Sequence, residues 1–301
     1  IELLRALIVD KSFNIIVLDT KKGTFPRMLQ DSFGETLVIL KKPQRIISQT
    51  LATDEILLAL CPPERIIALS ALATNDYYSH VVKQAKWTVK QQIDGGIESI
   101  LGLNPDLVFV ATYNRIEMVN LLRATGSQVF RFNNFHSVND IKNNIRIMGY
   151  MIGEDERANS LITQMEQAIT TIRQKIPKNM PPPRILFYDS WNYTAGRHTF
   201  FDDMVHLVHG INLASEKDIE GYVKLNSEFI HDWQPDVIVT SAVQGQFEQT
   251  RRHLLENPMI ATSLAGKAGH IIVIDHRDFN ATSHYIVPAI ATLAEGLYGH
   301  F

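Results

Sequence analysis

Two stretches of this chain repeat one another, and the repeat limits the folds open to it more than any other feature. The first is E-S-I-L-G-L-N-P-D-L-V-F-V-A-T, from Glu98 to Thr112, and the second is E-F-I-H-D-W-Q-P-D-V-I-V-T-S, from Glu228 to Ser241. In both, a glutamate stands seven residues before a Pro-Asp pair, with a helical lead-in before the pair and a short apolar run after it. A Pro-Asp pair alone arises by chance. Glutamate, helix and strand in the same order point to two related α/β lobes.

Between the copies lies Glu154 to Ile176. Ala158, Leu161, Ile162, Met165, Ala168, Ile169, Ile172 and Ile176 fall at helical spacing among charged and polar residues, which predicts one amphipathic helix of about 33 Å. Gly153 separates it from the preceding helical pattern, and Pro177 stops it.

Length and charge narrow the class. A chain of 301 residues is long enough for two domains with separate cores, and 45% apolar residues fit a globular protein. A net charge of −3 without basic blocks argues against nucleic acid and anionic membranes as partners. No apolar run approaches a bilayer span. The chain opens at Ile1 with no Met or signal peptide, which reads as a processed or engineered start. Cys61, between Leu60 and Pro62, is the single cysteine and reads as a buried apolar residue, so an internal disulfide and a Cys-rich metal site are excluded.

Apolar clusters before Lys22, including Ile15 to Leu18, suggest a helix and an added strand. Asp31-Ser32-Phe33-Gly34 marks a turn between extended stretches, the second being Thr36 to Leu40. Short apolar strands follow at Pro43 to Ser48, Arg65 to Leu69, Leu107 to Ala111 and Gln128 to Phe132, with a helix over Thr53 to Leu60 capped near Thr53 or Asp54. Continuous apolar strands with helices between them predict a parallel sheet covered on both faces. Ser137 with Asp140 three residues on opens a helix to Ile152. Three consecutive prolines before Arg184 form a stiff connector. Strands at Arg184 to Tyr188, Val237 to Thr240 and Ile271 to Asp275, a helix over Phe201 to His209 with Gly210 as its C-cap, and a terminal helix from His284 to Tyr298 complete the chain. The expected division is an extension over 1–24, an N-terminal lobe over 25–136, helices over 137–177 including the long helix at 154–176, and a C-terminal lobe over 178–301. The fold class is α/β, two Rossmann-like lobes with central parallel sheets joined by one long rigid helix.

These residues resemble a known family. D-S-F-G-E-T-L-V-I-L-K-K-P-Q-R-I-I-S, D-E-I-L-L-A-L, E-S-I-L-G-L-N-P-D-L-V, T-A-G-R-H-T-F-F-D-D-M, N-S-E-F-I-H-D-W-Q-P-D-V-I-V and N-P-M-I-A-T-S-L-A-G-K-A-G-H-I-I-V-I-D stand in the order found in the class III, helical-backbone periplasmic substrate-binding proteins of ABC importers for iron-siderophore complexes, haem and cobalamin. The resemblance covers Phe25 to Tyr298. The residues before Phe25 match nothing in it, and no lipid-anchor cysteine is present. Family members that keep a proline soon after the first strand's serine differ from Ser48-Gln49-Thr50-Leu51-Ala52, which implies a reshaped cleft floor.

In open α/β sheets, ligands bind beyond the carboxyl ends of the strands. Here those loops are Gln49–Thr53, Ser70–Tyr78, Thr112–Arg115, Ser190–Arg197, Ser241–Gln246 and His276–Asn280. Tyr77, Tyr78, Tyr113, Trp191, Tyr193, Tyr222 and Phe279 offer stacking faces, and Arg115, Arg197 and Arg277 offer clamps for carboxylate or catecholate oxygens. The resemblance places Trp191 and Arg197 in the family's cleft segment and Tyr222 where cobalamin-binding relatives carry a stacking aromatic. It also implies docking on the permease through one exposed acid per lobe, Glu228 and Glu117, with Glu98 in reserve. His198, His206 and His209 lack a metal-ligand frame. His276, His284, Tyr77, Tyr78 and Tyr113 are the residues able to ligate haem iron.

The implied function is an exported, monomeric receptor that captures an iron(III) siderophore or similar metal chelate in the inter-lobe cleft and delivers it to the permease dimer of an ABC importer. Haem or cobalamin is the alternative ligand, with no resident cofactor, no metal site and no chemistry on the ligand. An α/β redox enzyme competes poorly: Gly95-Gly96 opens no dinucleotide fingerprint, there is no Walker loop or Gly-x-Ser-x-Gly elbow, and one cysteine cannot hold an iron–sulfur cluster. A two-lobe signalling or structural protein without a ligand is the third reading.

Overall fold

The computed structural model describes residues 16–18, 24–31, 33–89, 92–93 and 97–299. The chain forms two compact units, the first taking residues up to 134 together with 142–163, the second 135–141 together with 164–301.

The first unit carries a small antiparallel sheet of β1 (Ile16–Leu18), β2 (Arg27–Gln30) and β3 (Thr36–Ile39). β1 is the added strand expected within Ile15 to Leu18. The helix expected before it and the Gly95-Gly96 pair lie outside the described residues. The β2–β3 turn forms because Asp31 Oδ1 accepts the N–H groups of Phe33 and Glu35 at 2.9 and 3.0 Å, and Gly34 takes φ +84°.

Its main sheet alternates strands and helices in the order β4 (Ile46–Ser48), α1 (Leu51–Leu60), β5 (Ile66–Ser70), α2 (Val82–Thr88), β6 (Gln92–Ile93), α3 (Ile97–Leu101), β7 (Leu107–Ala111), α4 (Ile116–Ala124) and β8 (Gln128–Phe132). The strands lie parallel in the order β6-β5-β4-β7-β8. Every residue of β7 is buried, as a central strand covered on both faces requires. Ile47, Val108 and Val110 pack there with Ile100, Val119 and Leu122 of the helices.

Next come α5 (Val138–Ile152) and α6 (Asp155–Lys175). Asp140 and Ser137 exchange a capping box, with Asp140 N–H on Ser137 Oγ and Ser137 N–H on Asp140 Oδ2, both at 3.1 Å. α6 is the uninterrupted helix foreseen from the spacing; it begins in the first unit and ends in the second. Ala158, Ile162, Met165 and Ile169 are its buried face. Gly153 takes φ +72° between the two helices.

The second unit runs β9 (Arg184–Phe187), β10 (Tyr193–Ala195), α7 (Phe200–Leu207), β11 (Ile211–Asn212), α8 (Leu213–Glu216), β12 (Tyr222–Lys224), α9 (Glu228–Trp233), β13 (Val237–Ala242), α10 (Phe247–Leu255), α11 (Pro258–Ala261), α12 (Leu264–Ala268), β14 (Ile271–Asp275), α13 (His276–Phe279) and α14 (Val287–Tyr298). Its parallel sheet has the order β11-β9-β13-β14, and β10 pairs with β12 in a separate antiparallel ribbon.

The repeated segments play one role twice. Asn104 and Gln234, each just before the Pro-Asp pair, turn the chain with φ +46° and +48°, and the aspartate then enters a strand next to the one that opens the sheet. Two cap expectations are corrected. Thr50, not Thr53 or Asp54, caps α1, because its hydroxyl accepts the Thr53 N–H at 3.3 Å. His209, not Gly210, takes the left-handed conformation after α7, at φ +62°. Gly210 is required for space, since a Cβ there would lie 2.5 Å from Ile185 Cδ1.

Candidate ligand-binding site

In the first unit the carboxyl ends of β4, β5 and β7 bring three expected aromatics to one edge of the sheet. Ser48 ends β4 and leads into Gln49, whose N–H bonds Phe109 O at 3.0 Å, tying the loop to β7. The Gln49 side chain is buried, and its Nε2 has no partner among the described residues. The loop after β5 is folded by Asn75: its Oδ1 accepts the Tyr77 N–H at 2.9 Å, and its carbonyl accepts the Tyr78 and Ser79 N–H groups at 3.2 and 2.9 Å. Tyr77 and Tyr78 then meet edge to face with centroids 4.7 Å apart, both exposed.

Tyr113 follows β7 in a turn closed by Asn114, which donates its N–H to Ala111 O at 3.0 Å and accepts the Ala111 N–H on Oδ1 at 2.7 Å. Tyr113 is 66% exposed. Desolvation at the hydroxyl end raises the phenol, opposed by a hydrogen bond with Thr50. Arg115, at the start of α4, is exposed and has no ion pair among the described residues; Glu117 is exposed one residue into the helix.

In the second unit, a tight turn and the β10–β12 ribbon gather four expected residues. Asp189 Oδ1 accepts the Trp191 and Tyr193 N–H groups at 2.9 and 2.8 Å, and Asn192 takes φ +64° with its Oδ1 on the Tyr188 hydroxyl at 2.7 Å. Trp191, at the tip, is 76% exposed. Ala195 pairs with Tyr222 and Tyr193 with Lys224, whose Nζ lies 5.8 Å from the Tyr193 ring centre. The backbone of Arg197 forms an isolated β-bridge with that of Glu220 beside them. The close approach depends on Gly196, where a Cβ would stand 2.0 Å from Ile219 O. Asn212 fixes the ribbon from below, donating to Ala195 O and Asp202 Oδ1, both at 2.9 Å.

Tyr222 is 54% exposed, and protein around its hydroxyl pushes the phenol up to about 12. Both Tyr113 and Tyr222 are therefore neutral phenols near neutral pH. Glu228 is exposed in the first turn of α9 and accepts from Asn226 Nδ2 at 3.2 Å.

Three expectations change in detail. Phe279 is only 6% exposed and stacks on Phe187 with centroids 4.6 Å apart, so its face belongs to the core rather than to a ligand. Arg197 is paired with Asp218 at 2.7 Å and Arg277 with Asp275 at 3.2 Å, which engages two of the three guanidinium groups inside the unit. The third, Arg115, keeps its charge toward solvent. His276 has its imidazole shifted downward by burial, opposed by the Asp275 charge, and accepts Asn280 Nδ2 on its carbonyl at 2.7 Å. His206 Nδ1 lies 3.8 Å from Asp202 Oδ2, and no three His, Cys, Asp or Glu side chains group as a metal site among the described residues.

Sequence reasoning missed the polar layer beneath the first unit's edge. Ser48, Thr50, Thr53, Asp54 and Ser70 are all buried there. The signal was present as S-Q-T-L-A-T-D immediately after an apolar strand, where small hydroxyl residues and an acid have no reason to stand at core positions unless bonded to one another. Burial raises the Asp54 carboxyl to about 8 against hydrogen bonds from Ser48 and Ser70.

Residues 46–277 match the family described as periplasmic binding protein. A cobalamin-binding protein of Halobacterium salinarum is 22% identical over 278 residues, covering 91% of this chain and 75% of that protein. YvrC of Bacillus subtilis (strain 168), an uncharacterized ABC transporter substrate-binding lipoprotein, is 26% identical over 236 residues, covering 73% of this chain and 71% of its own length. Among solved structures, the periplasmic heme-binding protein RhuT from Roseiflexus sp. RS-1 in apo form matches with a TM-score of 0.69 and 25% identity, covering 85% of this chain and 98% of that one. No helix among the described residues is long and apolar enough to cross a membrane. With parallel sheets in both units, an uninterrupted helix running from one into the other, and most of its length inside the family match, the chain belongs to the periplasmic binding protein family.

Proposed function

We propose that this protein is the chelate receptor of an ABC importer, and that its ligand is a corrinoid of the cobalamin class. The observation that carries the choice is the β10–β12 ribbon, which presents Trp191, Tyr193 and Tyr222 together while Arg197 is neutralised by Asp218. Flat aromatic contact with little free positive charge suits a broad macrocycle whose outer groups are amides. Tyr77, Tyr78 and Tyr113 supply a second aromatic surface on the first unit. The cobalamin-binding relative, matched along 91% of this chain, supports the same ligand.

An iron(III) siderophore rich in anionic oxygens would draw on Arg115, the arginine of the three without an ion pair among the described residues. Haem is favoured by one observation: burial keeps the His276 imidazole neutral, the form that binds iron. The receptor acts outside the cytoplasmic membrane as a monomer and performs no reaction on what it carries. Glu117 and Glu228, each exposed at the start of a helix, dock on the permease through its arginines. Replacing both with alanine abolishes uptake by the reconstituted importer and leaves ligand affinity unchanged.

Titrating tryptophan fluorescence with cyanocobalamin, haemin and a ferric siderophore tests the reading. It predicts saturable quenching, tightest with cyanocobalamin, and an unaltered ligand after release. Failure of all three to saturate, or reduction of a nicotinamide or flavin by the protein, contradicts it.

A further inference from the structure

The second unit has a cavity at the amino ends of its strands. Its volume is about 240 Å³, and Arg173, Lys178, His206 and His209 line it together with the apolar Ile176 and Leu207. The lining comes from the last turn of α6, the connector after it and the end of α7. His209 stands just before β11, and the Ile211 N–H donates to Pro183 O at 2.9 Å just before β9. The Trp191 turn follows the carboxyl end of β9, so the cavity and the aromatic ribbon sit at opposite edges of this sheet. A space several times the share of one water, roughly 30 Å³, admits a group of several heavy atoms.

Arginine, lysine and two histidines line this space, and none of the described lining residues is a carboxylate. Arg173, Lys178 and His209 have no ion pair among the described residues. His206 Nδ1 lies 3.8 Å from Asp202 Oδ2, but Asp202 does not line the cavity, and its Oδ1 accepts from Asn212 and Ser215. Basic residues near helix C-termini ordinarily complement the helix dipole. That role is largely taken at the end of α7. Met204 O accepts the Val208 N–H at 3.1 Å, Val205 O the Gly210 N–H at 2.8 Å, His206 O the His209 N–H at 3.1 Å and Val208 O the Tyr298 hydroxyl at 2.9 Å. Lys178 stands beyond Pro177, past the end of α6. His209 holds φ +62°, which glycine would adopt without steric cost, so an imidazole is kept on this wall against backbone preference.

We propose that this cavity binds a phosphate group, with Arg173 and Lys178 as its counter-charges and the imidazole N–H groups of His206 and His209 as further donors. A phosphate monoester carries about −1.5 to −2 near neutral pH, which a guanidinium and an ammonium together balance. Its three terminal oxygens accept from a guanidinium fork and from several other donors at once, whereas a carboxylate offers two. A soluble phosphate compound and a lipid headgroup share this chemistry. The site is separate from the aromatic loops, and nothing in it depends on which chelate they hold.

The test records the imidazole NMR signals of His206 and His209 in the full chain at constant neutral pH while inorganic phosphate replaces chloride at matched ionic strength. Both signals move together and saturate, with a Kd of about 1 mM or tighter. Arg173→Gln and Lys178→Gln each weaken phosphate by about ten-fold, as loss of a charge-assisted hydrogen bond requires. His209→Gly weakens it as well and does not lower the urea midpoint, because glycine suits φ +62°. Lys175→Gln, which removes an exposed charge on the last turn of α6 outside the cavity, keeps the wild-type affinity. Sedimentation with phosphatidic acid vesicles, against phosphatidylcholine vesicles, separates the two sources. Binding to the former that inorganic phosphate displaces identifies a headgroup; phosphate saturation without vesicle binding identifies a soluble compound. Signals that do not saturate with phosphate, or an equal loss of affinity in Lys175→Gln and Arg173→Gln, overturns the proposal.

Discussion

Asp106 and Arg45 hold one another by a reciprocal pair of bonds: the Asp106 N–H donates to Arg45 O at 3.0 Å, and Asp106 Oδ1 accepts the Arg45 N–H at 3.0 Å. Asp236 and Arg184 repeat the arrangement in the second unit, with the corresponding bonds at 2.9 and 2.8 Å. The Pro-Asp text seen twice in the sequence is thus a strand-pairing device used twice. It joins β4 to β7 in one sheet and β9 to β13 in the other. Asp106→Ala and Asp236→Ala each cost about 1–2 kcal/mol, the worth of a charge-assisted hydrogen bond. Urea denaturation checks this; an unchanged midpoint in both variants contradicts it.

Glu154 anchors the start of α6 within the first unit. Its Oε1 is 2.9 Å from both Lys42 Nζ and Arg65 Nη1, and Arg65 is itself buried, with Nε on Pro43 O and Nη2 on Ile152 O, both at 2.7 Å. Glu154→Ala leaves a buried guanidinium short of its counter-charge and costs about 3 kcal/mol. Lys42→Ala, which removes the half-exposed partner, costs under about 1 kcal/mol. Equal losses from the two variants in chemical denaturation would show that burial does not decide the strength of this cluster.

Asp54 makes stability depend on pH in a direction opposite to that of a salt-bridged carboxylate. Its folded carboxyl is raised from 3.8 to about 8, so between those values the unfolded chain is ionised while the folded one holds the proton. Stability is full below the unfolded value, falls as pH rises through the window by about 1.4 kcal/mol per pH unit, and levels off above the folded value. Asp203, raised chiefly by burial, adds a contribution of the same sign. Subtracting the Asp54→Asn profile isolates the Asp54 slope; a difference that is flat across the window contradicts the assignment.

Trp191 and Phe279 separate the proposed ligand contact from core packing. Trp191→Ala weakens cyanocobalamin binding by about ten-fold, roughly 1.4 kcal/mol, with little effect on stability because the ring is exposed. Phe279→Ala removes a ring stacked between sheet and helix, costs about 3–5 kcal/mol of stability, and leaves the affinity of the protein that remains folded unchanged. Calorimetric titration and thermal melts of the two variants distinguish these roles.

Much of the fold was legible because it rests on local periodicity. The buried face of α6 is drawn from the residues its spacing named, with Ala158, Ile162, Met165 and Ile169 buried and Leu161, Ala168 and Ile172 half-buried at its margins, and the continuous apolar text of β7 is a strand buried on both faces. The site was legible only where it follows from strand order. Loops at the carboxyl ends of β5, β7 and β9 carry Tyr77, Tyr113 and Trp191 as expected, yet pairing of Tyr222 with Ala195 joins residues distant in sequence and has no local signature. Arg197 and Arg277 read as free clamps because nothing in their neighbours' spelling shows a carboxylate folding back onto them. Phe279 read as a stacking face for a similar reason: it stands in the loop after β14, and only the packing of α13 turns it toward Phe187. The polar layer from Ser48 to Asp54 was overlooked because polar residues after a strand ordinarily mark a surface loop.

The central claim is that a chelate binds the aromatic loops at the carboxyl ends of the strands. Amide hydrogen exchange with and without cyanocobalamin tests it most directly. The account predicts slowed exchange in the turn at Asp189–Tyr193, the ribbon at Ala195 and Tyr222, and the loops carrying Tyr77 and Tyr113, with α10 and α11 unchanged. Protection confined to other segments, or none at saturating ligand, contradicts it.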